Sequence, residues 1–589
     1  MENQQHFSAL LGLDIGRIQT RASFFGIANG KYHLKGSHIG QTGFGQGLNL
    51  VAGVGEVLTG LQEQVSHTFM KPNGGLAMPV TAEHHGVDRV GLVISAGPRL
   101  RTALLGLTEK GSIQAGQALL ESLPLDAKAI FSEPDLLNES AVIDALVRAR
   151  PEIVIITGGE DAGAEAPIRR WMEVVRLMCR LVPATNQPTV LYAGNPTLEE
   201  SARRLLEPLT SLHILPNLRP LSDEWDLAPA QLVLDREIIR AWRERIPGLI
   251  ELSDLTRNLD GTVGFMLGRM VRYLSNLNSN AASEPGSKGV LAVDVGGGNI
   301  TVSAGMDRHF GTLVIPRDKA LFADNHETNL NMMKQCAGLP VISKEVRAFA
   351  ANQVIFPARI PGDSKAFALS QAHTSLLLHC ALDKLSKRYH WVDFDPEMGL
   401  KASFEPVIAS GAVLTQALTP QHALLMLLNG LQPWGITTFV LDKHHILPLL
   451  GVVGVREPIL PVHVLESGAL ENLGTVISAV SDVPEGETLL TVTVKQENGE
   501  GVEVPVTQGR LIRLPVMPGE SAVLTLDPAR RTDIGFGEPG RGGRLKVTGG
   551  TLGVIIDARG RPLRFPSADD QRIERLQGWL TSLNEPISD

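Results

Sequence analysis

Two stretches of the chain, 280 positions apart (294 minus 14), share one plan: LGLDIGRIQTRASFFG at 11–26 and LAVDVGGGNITVSAG at 291–305. Each is an apolar run that reaches an Asp, one apolar residue and a Gly, then a polar turn and a second apolar run. That pattern predicts a β-hairpin. Glycine in such a turn lets backbone N–H groups approach an anion, and the neighbouring carboxylate can hold Mg²⁺ through water. One such hairpin is an ordinary turn of an α/β protein. Two of them, each opening a half of the chain, imply two related lobes that close on one Mg-nucleotide.

At 589 residues the chain exceeds a single core. Residues 1–87 begin the first lobe, with strands ALLGLDIG, RASFFGIANG and KYHLKGSHIG in a meander and helical periodicity over 48–67. Over 88–216 the strands VGLVISAG, AKAIF, EIVIITGG, TVLYAGN and LHILP alternate with helical stretches. This rhythm predicts a parallel sheet covered on both faces, an inserted flavodoxin-like α/β domain. Residues 217–288 read as helical and end in a Ser/Asn/Gly/Pro-rich linker; the second lobe follows over 289–455. Residues 456–565 read as a C-terminal β domain and 566–589 as a terminal helix.

The net charge of −9 argues against a nucleic-acid or anionic-membrane surface, which needs a basic stripe. No apolar run reaches the ~18–20 residues that span a bilayer. Three widely spaced cysteines, Cys179, Cys336 and Cys380, lack metal or disulfide spacing and fit a reducing setting. The N-terminal apolar run has no basic segment before it and reads as a strand rather than a signal peptide, so the expected location is cytoplasmic.

The doubled hairpin resembles the superfamily of actin, the heat-shock chaperones and hexokinase, whose lobes are ribonuclease H-like. The resemblance makes Asp14, Gly16 and Thr20 the first phosphate loop and Asp294, Gly296, Gly297 and Gly298 the second. It makes Ser410, Gly411 and Ala412, in PVIASGAVLTQALTPQHALLML, the adenosine loop. The implied ligands are ATP or ADP with Mg²⁺, the ion positioned by Asp14 and Asp294 as the catalytic pair. A closer resemblance lies in EIVIITGGEDAGAEAPIRR, TVLYAGN, LLNGLQPWGITTFVLD and GFGEPGRGGRLKVTGGTLGVIIDARGRPL, which are similar to the glutamate mutase L family. That resemblance implies an ATPase-type chaperone, or reactivating factor, for an adenosylcobalamin-dependent mutase.

Two positions depart from the family pattern. Thr301 stands where an acidic residue is common, and Arg17 where a small or hydroxyl residue is usual. Both bear on turnover more than on binding. They keep a non-hydrolysing assembly scaffold open as an alternative, beside a small-molecule kinase of the same fold. Glu160 and Asp161 end a buried strand and could meet a cation or a partner, or simply cap the next helix. The pairs His84-His85 and His444-His445 lack a matching ligand set and read as surface or packed histidines.

Overall fold

The computed structural model describes residues 8–43, 49–71, 75–81, 85–161, 163–221, 224–281, 288–321, 326–357, 359–496 and 501–585. His84 and residues 282–287 of the predicted linker lie outside them, while the linker's first part, 275–281, ends the helix Val263–Ala281. The chain divides into two compact units: residues 1–95 with 266–589, and residues 96–265.

In the first unit, β1 (Ala9–Ile15), β2 (Gln19–Ala28) and β3 (Lys31–Gln41) form an antiparallel meander. β4 (Arg89–Ile94) joins β1 in parallel, Val93 beside Asp14. The helix Leu50–Val65 covers this meander. Its N-cap Asn49 accepts from the Ala52 N–H at 3.0 Å, and Leu50, Val54, Val57, Leu58 and Leu61 form its buried stripe.

The second unit carries β5 (Leu100–Leu105), β6 (Leu125–Phe131), β7 (Ile153–Gly158), β8 (Thr189–Gly194) and β9 (Leu212–Ile214). All pair in parallel, in the order β6-β5-β7-β8-β9. Counted from β5, that is the flavodoxin-like order. β7 and β8 are buried at every residue, as strands covered on both faces must be. The helix Ala166–Leu181 buries Ile168, Trp171, Met172, Val175, Met178 and Cys179 at helical spacing, and the Trp171 indole N–H donates to the Gly106 carbonyl at 2.7 Å. The helices Ala228–Arg245 and Leu249–Thr256 complete the unit, and the short β10 (Asp260–Thr262), which is not part of its sheet, follows them. Asp235 accepts from the Thr262 N–H and hydroxyl, at 2.9 and 2.6 Å.

The unit therefore runs 96–265 where the sequence suggests 88–216. VGLVISAG leaves it because β4 hydrogen-bonds to β1. The strand that opens it is Leu100–Leu105, which the apolar pattern does not separate from its neighbour.

The first unit resumes with β11 (Gly289–Val295), β12 (Asn299–Met306) and β13 (His309–Pro316), a second antiparallel meander. A small pair, β14 (Phe394–Asp395) and β15 (Gly399–Leu400), follows. β16 (Phe404–Ser410) pairs in parallel with β11, and β17 (Gly435–Leu441) in parallel with β16. β18 (Glu471–Ser478) is antiparallel to β17. The two hairpins keep one register. Asp14 faces Arg21 and Ile15 faces Thr20; Asp294 faces Thr301 and Val295 faces Ile300. A core of Leu10, Phe25, Val290, Ala292, Ile408, Ile446 and Leu450 joins both sheets.

The C-terminal stretch supplies β19 (Val480–Ser481), β20 (Thr488–Gln496), β21 (Val502–Thr507), β22 (Leu511–Leu514), β23 (Ser521–Pro528), β24 (Thr532–Asp533), β25 (Gly543–Thr548) and β26 (Val554–Asp557). A four-stranded sheet forms in the order β21-β20-β23-β25, and β19 pairs with β24. β26 and β22 instead extend the second meander's sheet beyond β18. The C-terminal β structure thus shares a sheet and a core with the second lobe, through Ile436 and Ile477.

A buried ion cluster secures that junction. Asp557 accepts from Arg559 Nε at 2.8 Å and from Arg561 Nη2 at 2.9 Å, with no side-chain exposure on any of the three. Arg559 also donates to Asn429 Oδ1 at 2.7 Å and Arg561 to the Pro433 carbonyl at 2.7 Å. Removing one member of such a cluster leaves the others buried without compensation. Asp557→Ala should therefore lower stability by about 3–5 kcal/mol, read as a drop in the urea midpoint.

Candidate functional site

Both turns close alike. The Gly16 N–H donates to the Gln19 carbonyl at 2.9 Å, and the Gly296 N–H to the Asn299 carbonyl at 3.0 Å. The turns meet face to face. A Cβ on Gly297 would collide with the Ile18 side chain, and one on Gly298 would lie 3.4 Å from Arg17 Cδ. Glycine at 297 lets the two turns approach, while position 298 has room for a Cβ. Thr20 is buried and its hydroxyl meets Thr42 Oγ1 at 3.1 Å; the Thr42 hydroxyl donates to the Gly16 carbonyl at 2.7 Å. Thr20 thus pins the first turn from behind.

The third loop leaves β16 beside the second turn, where Asp294 pairs with Ser410. Ser410 is buried and its hydroxyl reaches the Asp442 carbonyl at 3.4 Å. Gly411 has φ +101°, and a Cβ there would strike the Val295 backbone. Its glycine serves the passage of two backbones. Ala412 opens the short helix Ala412–Thr415. Gln416 meets Gln19 at 3.4 Å, so the third loop also touches the first turn. The fold thus gathers Asp14, Gly16, Thr20, Asp294, Gly296, Gly297, Gly298, Ser410, Gly411 and Ala412 in one place. Glu160 and Asp161 belong to the second unit. They are exposed; Glu160 lies 3.7 Å from Arg219 and Asp161 accepts from Asn217 at 3.1 Å.

The sequence pattern misses His445. It follows β17 in the left-handed region, φ +49°, before the helix Ile446–Val453. Asp442 sets this turn, accepting the Ile446 and Leu447 N–H groups at 2.9 Å each. The imidazole enters between the two hairpins. Its Nδ1 donates to Asp14 Oδ2 at 2.6 Å, and its Nε2 lies 3.6 Å from Asp294 Oδ2, an ion pair rather than a hydrogen bond. All three side chains are largely buried. Burial alone would push the His445 pKa down; Asp14 and Asp294 outweigh it and hold the ring protonated well above its usual range. His445 is a packed histidine, but one that joins the two Asp residues.

Mg²⁺ takes oxygen ligands at about 2.0–2.1 Å and keeps several waters. The imidazole already occupies the space between the carboxylates and offsets part of their charge. The arrangement does not fit Mg²⁺ held between Asp14 and Asp294. Among the described residues, no group of three or more His, Cys, Asp or Glu side chains is disposed to hold a metal ion.

Other cations surround the turns. Arg21 Nη1 donates to the Lys443 carbonyl at 2.8 Å, next to Asp14, Asp442 and Asp294. Arg317 follows β13, and its N–H donates to the Gly298 carbonyl at 3.2 Å. Its guanidinium is buried against the Gly296 carbonyl at 3.4 Å and His373 Nδ1 at 3.3 Å, and its Nε has no partner. Burial lowers its pKa to about 10.

The repeated meander, its added parallel strand and the facing glycine turns define an actin-like protein. A family model described as MutL protein matches residues 10–314. The chain belongs to that family, the glutamate mutase L family. No curated protein matches it. Among solved structures, xylulose kinase from Bifidobacterium adolescentis is 10% identical, covering 80% of this chain and 96% of that chain at a TM-score of 0.29. Gluconate kinase from Lactobacillus acidophilus is 10% identical, covering 79% and 93% at 0.29. A glycerol dehydratase reactivase is 9% identical, covering 72% and 95% at 0.26. The fold assignment rests on sheet order and register. Among the described residues, no helix is long and apolar enough to cross a membrane.

His373, behind the second turn, makes acid stability testable. Burial, reinforced by Arg317, pushes its pKa down to about 3. Below the ordinary histidine value of about 6.5, the unfolded chain takes up a proton that the folded chain refuses, so stability falls as pH falls. At pH 5 this amounts to about 2 kcal/mol. His373→Asn should flatten the pH dependence of the urea midpoint between pH 7 and 5.

Proposed function

We propose that this protein binds ATP and ADP at the facing glycine turns and serves as a nucleotide-dependent chaperone, or reactivating factor, for an adenosylcobalamin-dependent mutase. One observation carries the nucleotide reading: two hairpins of identical register present glycine turns to each other, with a third glycine loop against the second turn. Membership of the glutamate mutase L family supports the partner. The exposed carboxylates Glu160 and Asp161 are the proposed contact for a basic surface of that mutase.

His445 favours binding over turnover. In-line hydrolysis needs a group that orients water and a cation on the phosphates. Asp14 and Asp294 are engaged by His445, and Asp442 by the start of a helix. Hydrolysis is therefore slow or absent, and the proposed chaperone acts through which nucleotide it holds rather than through rapid turnover.

Thermal unfolding with and without ATP or ADP tests the nucleotide reading. A ligand at 100 times its dissociation constant adds about 2.7 kcal/mol, so a clear rise in Tm is expected. Gly298→Asp, which sets a carboxylate in the turn, should abolish the rise while the unliganded Tm changes little. For the partner, capture of an adenosylcobalamin-dependent mutase should differ between ATP and ADP and weaken in Glu160→Ala/Asp161→Ala. Capture that is unchanged by all of these would remove the second unit from the coupling.

A further inference from the structure

We infer that the ligand's phosphoryl groups are neutralised by this chain's own side chains, with the His445 ring in the divalent cation's place and Arg17 and Arg317 as the anion's counter-charges. The inference deepens the nucleotide reading above and rests on it. It starts from the charges at the turns. Three carboxylates face the site. Asp14 and Asp294 are joined through His445, Arg21 lies beside all three, and Asp442 holds two backbone N–H groups. Lys443 is taken by Glu471 at 2.7 Å. A divalent ion would thus find no uncommitted acid among these residues.

Arg17 and Arg317 are in the opposite position. Arg317 is buried at 7% exposure, with an orphan Nε and no acidic partner among the described residues. A buried guanidinium without a counter-ion is costly, so one is expected nearby. Arg17 is exposed at the first turn, with its Nη1 within 3.9 Å of the point a Gly298 Cβ would take, and has no acidic partner among the described residues. The two arginines flank the second glycine turn, Arg17 across it and Arg317 behind it. The surplus sign at that turn is positive. It suits the terminal phosphates of a nucleoside di- or triphosphate free of metal.

Two measurements on the full chain test this. The first is Mn²⁺ binding without nucleotide, by electron paramagnetic resonance. Wild type should show no site that Asp294→Asn removes. His445→Gln, which keeps bulk but loses charge, should gain a site about tenfold or more tighter than any in wild type. His445→Lys, which restores a cation, should lose it again. A wild-type Mn²⁺ site abolished by Asp294→Asn overturns the inference, as does a folded His445→Gln that gains none. The second is the ATP-induced rise in Tm in EDTA and in MgCl₂. Equal rises, both lost in Arg17→Ala, are expected; a rise that requires Mg²⁺ overturns the inference. Absence of a rise in either medium would refute nucleotide binding itself, while the Mn²⁺ measurement still judges His445.

Discussion

The ion-paired bridge Asp14–His445–Asp294 ties the first unit's two halves at their most polar point. Each Asp ends the first strand of its hairpin, so each is placed by a whole meander. The histidine comes from neither. It is delivered by the turn after β17, which Asp442 shapes through the first N–H groups of the following helix. That helix, Ile446–Val453, is buried along its length and contributes Ile446 and Leu450 to the core shared by the two sheets. Moving the histidine would therefore disturb the packing that joins the lobes. The polar bridge and the apolar core are fastened to the same short helix.

The glycines at the turns gain meaning from this closeness. Gly297 admits Ile18, and Gly411 lets its loop pass the Val295 backbone. In both cases the neighbour met is this chain itself. The turns are pressed together, with positive side chains around them, which is the geometry on which the proposed reading, an anion held with little turnover, rests. Two sequence departures from the family pattern fit the same picture. Thr301 faces Asp294 across the second hairpin and adds no second carboxylate, while Arg17 adds a cation at the first turn.

Much of the architecture was legible because it repeats or alternates. The meanders follow from paired apolar runs, and the parallel insert from continuous apolar strands spaced by helices. The insert's strands lie in the order β6-β5-β7-β8-β9, and one strand of the predicted five, VGLVISAG, instead pairs with β1. Local pattern cannot decide such a case, because the same buried strand satisfies either sheet. The C-terminal stretch shows the same ambiguity. Its strands alternate as a β domain should, yet β22 and β26 complete the second lobe's sheet, held by Asp557 and its two arginines.

From sequence alone came the doubled hairpin, the actin-like class, the family and the residues that line the turns. These depend on local spacing and on a repeat that needs no partner to be recognised. Tertiary structure decided what stands between the two Asp residues. His445 lies 431 positions from Asp14 and carries no motif. In the sequence it is half of an unremarkable His-His pair, and only the folding of two sheets against one helix puts its ring between two buried carboxylates. Whether a carboxylate is open to a metal or already paired is a matter of distance in space, which residue spacing along the chain does not contain.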